Sequence, residues 1–120
     1  MTRSRIVGTG SFVPPRVVGN EEVGKPLGLK PSQIEELTGI QTRHWAEPGQ
    51  ASSDLAVVAA QRACEAAGLG PDSIEGIVVS TSSPDSAFPS TACHVQRILG
   101  VKSVLAFDLS ASCSGFLYGL

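Results

Sequence analysis

The chain has 120 residues, of which 42% are hydrophobic and 17% are charged, and its formal net charge at pH 7 is −2. This length and composition fit one globular domain or part of a larger one. The negative net charge and the lack of a cluster of basic residues argue against a nucleic-acid-binding protein. No apolar stretch approaches the roughly 20 residues of a membrane-spanning helix, and the opening MTRSRIVGTG lacks a signal-peptide core, so we expect no membrane partner.

The amino-terminal third of the chain shows few clear elements. Residues 5–13 (RIVGTGSFV) are predicted to form a strand closed by a glycine turn, and residues 14–31 a loop with at most one helical turn after Asn20. Ser32, with a glutamate three residues later, has capping-box spacing and predicts a short helix that ends at Gly39.

The clearest helix is predicted over residues 54–67, with Ser53 as its cap and Gly68 as its stop. Its expected inward face comprises Leu55, Val58, Ala59, Ala63 and Ala66. A strand follows within residues 75–83, where three consecutive branched residues, 77–79, favour a strand covered on both faces and therefore parallel pairing.

A second helix is predicted over residues 90–99, ending at Gly100, and a third strand over residues 101–109. The inward residues of this helix are expected to be Ala92, Val95, Ile98 and Leu99. The alternation of strands and helices predicts an α/β layered sheet with right-handed crossovers.

The three cysteines, Cys64, Cys93 and Cys113, fall in different predicted elements and show neither CxxC spacing nor a matching pair of histidines. A disulfide framework and a zinc site are therefore disfavoured. Cys93 and His94 are adjacent, but neighbouring helix positions point about 100° apart and would not bind one ion together. We expect a cytoplasmic protein with reduced thiols and no bound metal.

Cys113 stands where the strand over residues 104–109 ends and a helix is predicted to begin. Catalytic and ligand sites of parallel sheets gather at this edge, and the start of a helix favours a thiolate over a thiol. Small neighbours leave space for a thioester, namely Ala111, Ser112, Ser114 and Gly115. From these residues alone, a nucleophile and a buried packing cysteine are both open. The following residues 116–120 are apolar on all sides, which predicts a buried helix.

Four segments together resemble the amino-terminal part of the β-ketoacyl-acyl-carrier-protein synthase III family: IVGTGSFVP, TGIQTRH, IVVSTSSPDSAFPSTACHVQRILG and AFDLSASCSGFLYGL. The resemblance implies a thiolase-like α/β fold of which this chain holds the amino-terminal half, incomplete at Leu120. It implies a condensation of a short acyl thioester with malonyl-acyl-carrier protein that starts fatty-acid chains. Cys113, in the matching SCSGF segment, is then the acylated nucleophile.

The resemblance also shows what this chain lacks. The family's catalytic histidine and asparagine belong to its second half, and His44 and His94 match non-catalytic parts, so we expect the 120 residues alone to be inactive. Family members hold the coenzyme A adenine with a tryptophan and an arginine, where this chain has Gln33 and Leu37. The only tryptophan, Trp45, is better explained as a loop or core residue.

Partners and substrates follow from the same resemblance. Acyl-carrier protein is the expected partner, and the protein is expected to form a homodimer. Because both adenine contacts are missing, the donor is either acyl-coenzyme A or an acyl group on acyl-carrier protein. Phe88, in the loop SPDSAFPS, is implied to close the acyl pocket of the partner subunit, although a simple loop anchor is the alternative. GTGSF resembles a dinucleotide glycine loop, but Val13 replaces the third glycine, so no nicotinamide cofactor is expected.

Three hypotheses of function remain open at this point. The first is a synthase III. The second is another thiolase-fold acyltransferase, such as a hydroxymethylglutaryl-coenzyme A synthase or a polyketide-type transferase, which would share Cys113. The third is a non-catalytic fragment that only pairs with a partner.

Overall fold

The computed structural model describes residues 4–120, which divide into two compact units. The larger unit comprises residues 4–12 and Ala51–Leu120, and the smaller unit is Val13–Gln50. The elements, in chain order, are β1 (Arg16–Gly19), α1 (Asn20–Gly24), α2 (Pro31–Thr38), β2 (Thr42–Trp45), α3 (Ser52–Ala67), β3 (Gly76–Ser80), α4 (Thr91–Leu99), β4 (Leu105–Leu109) and α5 (Gly115–Gly119).

In the larger unit, β3 and β4 form a parallel pair whose register runs from Gly76 opposite Leu105 to Ser80 opposite Leu109. Helix α4 packs against both strands and against α3. The predicted α/β arrangement and the parallel pairing are therefore confirmed. The buried apolar residues of this unit are Val57, Ala92, Val95 and Val101.

The two long helices end where the sequence predicts, because Gly68 and Gly100 adopt the left-handed backbone, with φ of 67° and 73°. The predicted inward faces are only partly correct. Val57, which was not predicted to face inward, is 6% exposed, whereas Ile98 is 42% exposed. The inward side of α3 follows Ser53 and Val57, one position away from the predicted face.

The expectation that the strand within residues 75–83 is covered on both faces is wrong for the described residues. Burial alternates along β3 and β4, and Val78 and Phe107, which are paired across the strands, are 43% and 41% exposed. The predicted buried helix after Cys113 is likewise exposed, with Phe116 69% accessible. The reason is the same in both cases: no described element covers these surfaces.

The strand predicted over residues 5–13 is also wrong, since no strand is assigned between residues 4 and 13. This segment instead lies against the backbone of α3. A Cβ atom at Gly10 would lie only 2.2 Å from the carbonyl oxygen of Ala59, and one at Gly8 only 2.3 Å from that of Ala63. The glycines permit close packing on a helix rather than a turn after a strand.

The smaller unit is built on an antiparallel pair, with Arg16 of β1 opposite Trp45 of β2. Neither strand was predicted, and α1 begins at Asn20, where the sequence allowed one helical turn. Buried Asn20 holds the unit together, because its Nδ2 donates to the carbonyl oxygens of Pro31 and Ile40 at 3.3 and 2.8 Å.

Helix α2 (Pro31–Thr38) stops at Gly39 as predicted, but it begins earlier than predicted, at Pro31, and its cap differs. The backbone N–H of Lys30 donates to Oε1 of Gln33 at 2.8 Å, so the capping pair lies two residues before the predicted one at Ser32. Among residues 4–120, no helix is long and apolar enough to cross a membrane.

Candidate active site

The parallel register of β3 and β4 brings two connecting segments to the same edge of the strand pair. Ser80 and Leu109 lie opposite each other at the carboxyl ends, and the N–H of Thr81 donates to the carbonyl oxygen of Leu109 at 3.1 Å. Beyond this point the hydroxyls of Ser82 and Ser112 lie 3.3 Å apart. The segment after β3 and the segment after β4 therefore start side by side, at the edge where parallel sheets bind ligands.

Cys113 lies in the segment after β4 and is exposed. It stands in a 3-10 turn, Ser112–Ser114, and the α-helix α5 begins at Gly115, two residues later than the sequence predicts. The turn is sharp because Ser112 adopts the left-handed backbone with φ of 45°, which is uncommon for a residue with a side chain. The thiol is thus presented on a tight turn between strand and helix.

Gly115 seats the start of α5 against the end of β3. It is buried, and a Cβ atom at this position would lie 1.8 Å from Oγ and 3.1 Å from Cβ of Ser80. The sequence suggests that Gly115 clears space for a thioester. In the structure its small size serves the packing of the turn that carries Cys113.

The other two cysteines are both half-buried. The hydroxyl of Ser90 donates to Sγ of Cys93 at 3.2 Å, at the start of α4, and Cys64 lies within α3. Cys113 is the exposed cysteine among the three, which favours it as the nucleophile over a packing residue.

Phe88 lies in the segment after β3 and is 91% exposed, so no described residue covers its ring. Nearby, the hydroxyl of Ser86 donates to the carbonyl oxygen of Pro89 at 3.0 Å. The loop-anchor alternative requires the ring to be tucked into its own unit, and the described residues offer no such contact.

Two aspartates that the sequence analysis missed organise this edge. Asp108, at the end of β4, accepts the backbone N–H groups of Thr91 and Ala92, both at 2.8 Å, and so caps α4. Asp85 accepts the N–H of Ser53 at 2.9 Å and so binds the start of α3. A charged residue in the otherwise apolar strand LAFDL was the one signal that could have revealed Asp108.

The pKa of Asp85 is lowered. Its partial burial acts in the opposite direction, but this is outweighed by hydrogen bonds from Ser53, the nearby charge of His94 and a hydrogen bond involving Thr91. Asp85 therefore carries its charge at neutral pH, which strengthens its bond to the helix start.

Of the remaining sequence candidates, three make contacts within the smaller unit, namely His44, Trp45 and Gln33, whereas Leu37 is exposed. Nδ1 of His44 lies 2.6 Å from the carbonyl oxygen of Pro14, and the guanidinium of Arg16 lies 5.2 Å from the centre of the Trp45 ring. Gln33 caps α2, and Leu37 is 80% exposed. No group of three or more potential metal ligands occurs among the residues that the structure describes.

Comparisons with known proteins relate this chain to several ketosynthases, although no family model matches it. The chain is 48% identical over 118 residues to an acetoacetyl-coenzyme A synthase of Streptomyces sp. strain CL190, covering 98% of this chain and 36% of that protein. Its structure superposes on a 3-oxoacyl-acyl-carrier-protein synthase III of Aquifex aeolicus with a TM-score of 0.89 and 40% identity, covering 94% of this chain and 36% of the other. A priming β-ketosynthase of a polyketide biosynthetic pathway gives a TM-score of 0.90 and 37% identity, with 96% and 34% covered.

The chain has a thiolase-like α/β fold and is similar to part of the ketosynthases that share this fold. It spans about a third of the length of these relatives. The predicted resemblance and the thiolase-like α/β fold are thereby confirmed. These relatives include an acetoacetyl-coenzyme A synthase, a 3-oxoacyl-acyl-carrier-protein synthase III and a polyketide-pathway ketosynthase, so the similarity does not select one reaction.

Proposed function

We propose that this chain is part of a synthase III-type acyltransferase that carries an acyl group on Cys113. The thiolate of Cys113 attacks the carbonyl carbon of a short acyl thioester, a new carbon–sulfur bond forms, and the donor thiol leaves. Malonyl-acyl-carrier protein then loses carbon dioxide, and the resulting carbanion forms a carbon–carbon bond with the acyl carbon. The bond from that carbon to Sγ breaks, which restores the Cys113 thiolate. The observation that carries the proposal is the exposed thiol on a tight turn at the carboxyl edge of a parallel strand pair.

The second step needs groups that stabilise the developing carbanion. His44 is bound to Pro14, and His94 lies on α4, so neither is assigned this role. We propose that the 120 residues alone do not catalyse condensation, and that the complete protein acts in the cytoplasm as a homodimer. In that dimer, Phe88 closes the acyl pocket of the partner subunit, which accounts for its exposure here.

A second candidate differs in the extender substrate. The relative that is 48% identical is an acetoacetyl-coenzyme A synthase, which favours a reaction in which malonyl-coenzyme A replaces malonyl-acyl-carrier protein. The first step on Cys113 is the same in both candidates. Measuring carbon dioxide release from each malonyl thioester separates them, because the preferred extender gives the higher kcat/KM.

Intact-mass analysis tests the shared first step. The complete protein, incubated with acetyl-coenzyme A, should gain the mass of one acetyl group, and the Cys113→Ser variant should not. The Cys64→Ser and Cys93→Ser variants are matched controls that remove half-buried thiols and should still be acylated. An acetyl group found on Cys64 or Cys93 instead would overturn the assignment.

A further inference from the structure

The segment that carries Phe88 is held in place at both of its ends. We call residues 81–90 the anchored loop. The hydroxyl of Ser52 donates to the carbonyl oxygen of Ser83 at 2.7 Å, and the N–H of Ser53 donates to Oδ1 of Asp85 at 2.9 Å. Both contacts fix the first part of the anchored loop to the amino-terminal end of α3.

Asp85 also reaches the second helix. Its own N–H donates to Oγ1 of Thr91 at 3.1 Å, and Thr91 is fully buried at the start of α4. The N–H of Thr91 is in turn bound by Asp108 of β4. Asp85 is thus the loop residue that binds both helices, through its carboxylate to α3 and through its backbone to α4.

Phe88 lacks any comparable support of its own. Its side chain is 91% exposed, and the nearby hydrogen bond from Ser86 to Pro89 stays within the loop. The position of the Phe88 ring therefore depends on the anchors of the loop rather than on packing of the ring. Two anchors flank it: Ser90, two residues later, bonds to Cys93 of α4, and Asp85, three residues earlier, is the anchor whose side chain reaches α3.

We propose that Asp85 is a positioning residue that sets the acyl-chain preference of the enzyme by fixing the anchored loop, and with it Phe88. This inference rests on the proposed function, in which Phe88 closes an acyl pocket. Asp85 does not touch substrate; it limits the positions that Phe88 can adopt. Loss of its carboxylate frees the loop from α3 and lets the pocket accept longer or branched acyl groups.

The test is a competition between a short and a longer acyl-coenzyme A donor in the complete protein. Asp85→Ala should reduce the ratio of kcat/KM for the short donor over the longer one by about tenfold, the discrimination that a pocket gains from one or two methylene groups. Asp85→Asn keeps an oxygen that can accept the N–H of Ser53 and should restore most of the ratio.

Asp54→Ala is the matched control. The carboxylate of Asp54 accepts the N–H of Ala51 at 2.8 Å, so it caps the same end of α3 without touching the anchored loop. This variant should lose stability to a similar extent while the donor ratio stays unchanged. If Asp54→Ala and Asp85→Ala change the ratio equally, Asp85 acts only through helix stability and the inference is wrong.

Phe88→Val separates failure of the inference from failure of the proposed function. If Phe88→Val shifts the donor ratio and Asp85→Ala does not, the acyl-pocket role of Phe88 stands and the role of Asp85 is rejected. If neither variant shifts the ratio, the pocket role of Phe88 is itself rejected, and the inference falls with it. A shift in both variants, with Asp54→Ala unchanged, supports the inference.

Discussion

The two segments at the carboxyl edge of β3 and β4 are held by different forces. The anchored loop after β3 depends on hydrogen bonds from side chains, above all that of Asp85. The turn after β4, which presents Cys113, depends on backbone shape: Ser112 adopts a left-handed conformation, and Gly115 fits against Ser80 without room for a side chain.

The two segments therefore differ in how well they tolerate substitutions. A hydrogen-bonded loop can be loosened by one substitution without a steric clash, so its geometry is open to adjustment. A sterically fitted turn tolerates little change, because adding even one methyl group forces atoms apart. The nucleophile is therefore on the rigid segment, and the proposed acyl selector is on the adjustable one.

Gly115→Ala should have the largest effect. The added Cβ would lie 1.8 Å from Oγ and 3.1 Å from Cβ of Ser80; rotation of the Ser80 hydroxyl relieves the first contact but not the second, so we expect a loss of about 2 to 3 kcal/mol of unfolding free energy. Acylation of Cys113 should slow as well, because the turn must shift. Urea unfolding and the acylation rate of the complete protein measure the two effects.

Gly119→Ala is the control for this prediction. Gly119 lies on the same helix, α5, and a Cβ atom there would meet nothing within 4 Å. This variant should be neutral or slightly more stable, since alanine favours a helix. Combining Gly115→Ala with Ser80→Ala removes the closest atom and should recover part of the stability. No recovery would show that the steric fit with Ser80 is not what holds the turn.

Asp108→Ala should have the next largest effect, and it tests the hydrogen-bonded side of the comparison. The change leaves the N–H groups of Thr91 and Ala92 without their acceptor, although both residues are 0% exposed. We expect a loss of about 2 kcal/mol, the usual cost of leaving buried donors unpaired. Asp108→Asn keeps one acceptor oxygen and should lose less, as measured by urea unfolding; equal losses in the two variants would contradict this account.

Local sequence patterns were sufficient to predict the α/β core and the position of Cys113 between a strand and a helix. The helices stop at Gly68 and Gly100, and β3 and β4 are short apolar runs, so spacing alone predicts them. Cys113 was found because a strand, small residues and a helix follow one another in the sequence.

The structural features that the sequence patterns did not predict depend on contacts between residues far apart in the chain. The bond between Ser53 and Asp85 spans 32 residues, and β1 pairs with β2 through the polar sequence TRHW, which has no strand pattern. The segment 5–13 has a strand-like composition, but its glycines fit the backbone of α3. Burial of the helix after Cys113 was predicted from its composition, whereas exposure depends on which elements cover it.

Asp85→Asn should have the smallest effect on stability, and this effect should depend on pH. Folding lowers the pKa of Asp85 below its ordinary value of 3.8, so the unfolded chain binds the proton more readily. The stabilisation is therefore fully present above the unfolded value and is lost as the pH falls through the lower folded value. We expect Asp85→Asn to cost about 1 kcal/mol near neutral pH, as for loss of a charged helix cap, and progressively less as the pH falls below 3.8.

The measurement is urea unfolding of both proteins across this pH range, with the difference between them plotted so that other ionisable groups cancel. His94 provides the control, because its positive charge contributes to the low pKa of Asp85. In a His94→Gln background the stabilising contribution of Asp85 should be smaller, and its loss should be complete at a higher pH, since the folded pKa then lies closer to 3.8. A difference that stays constant from neutral to acid pH would mean that the charge of Asp85 does not strengthen the anchor, and the anchored loop would then be held by hydrogen-bond geometry alone.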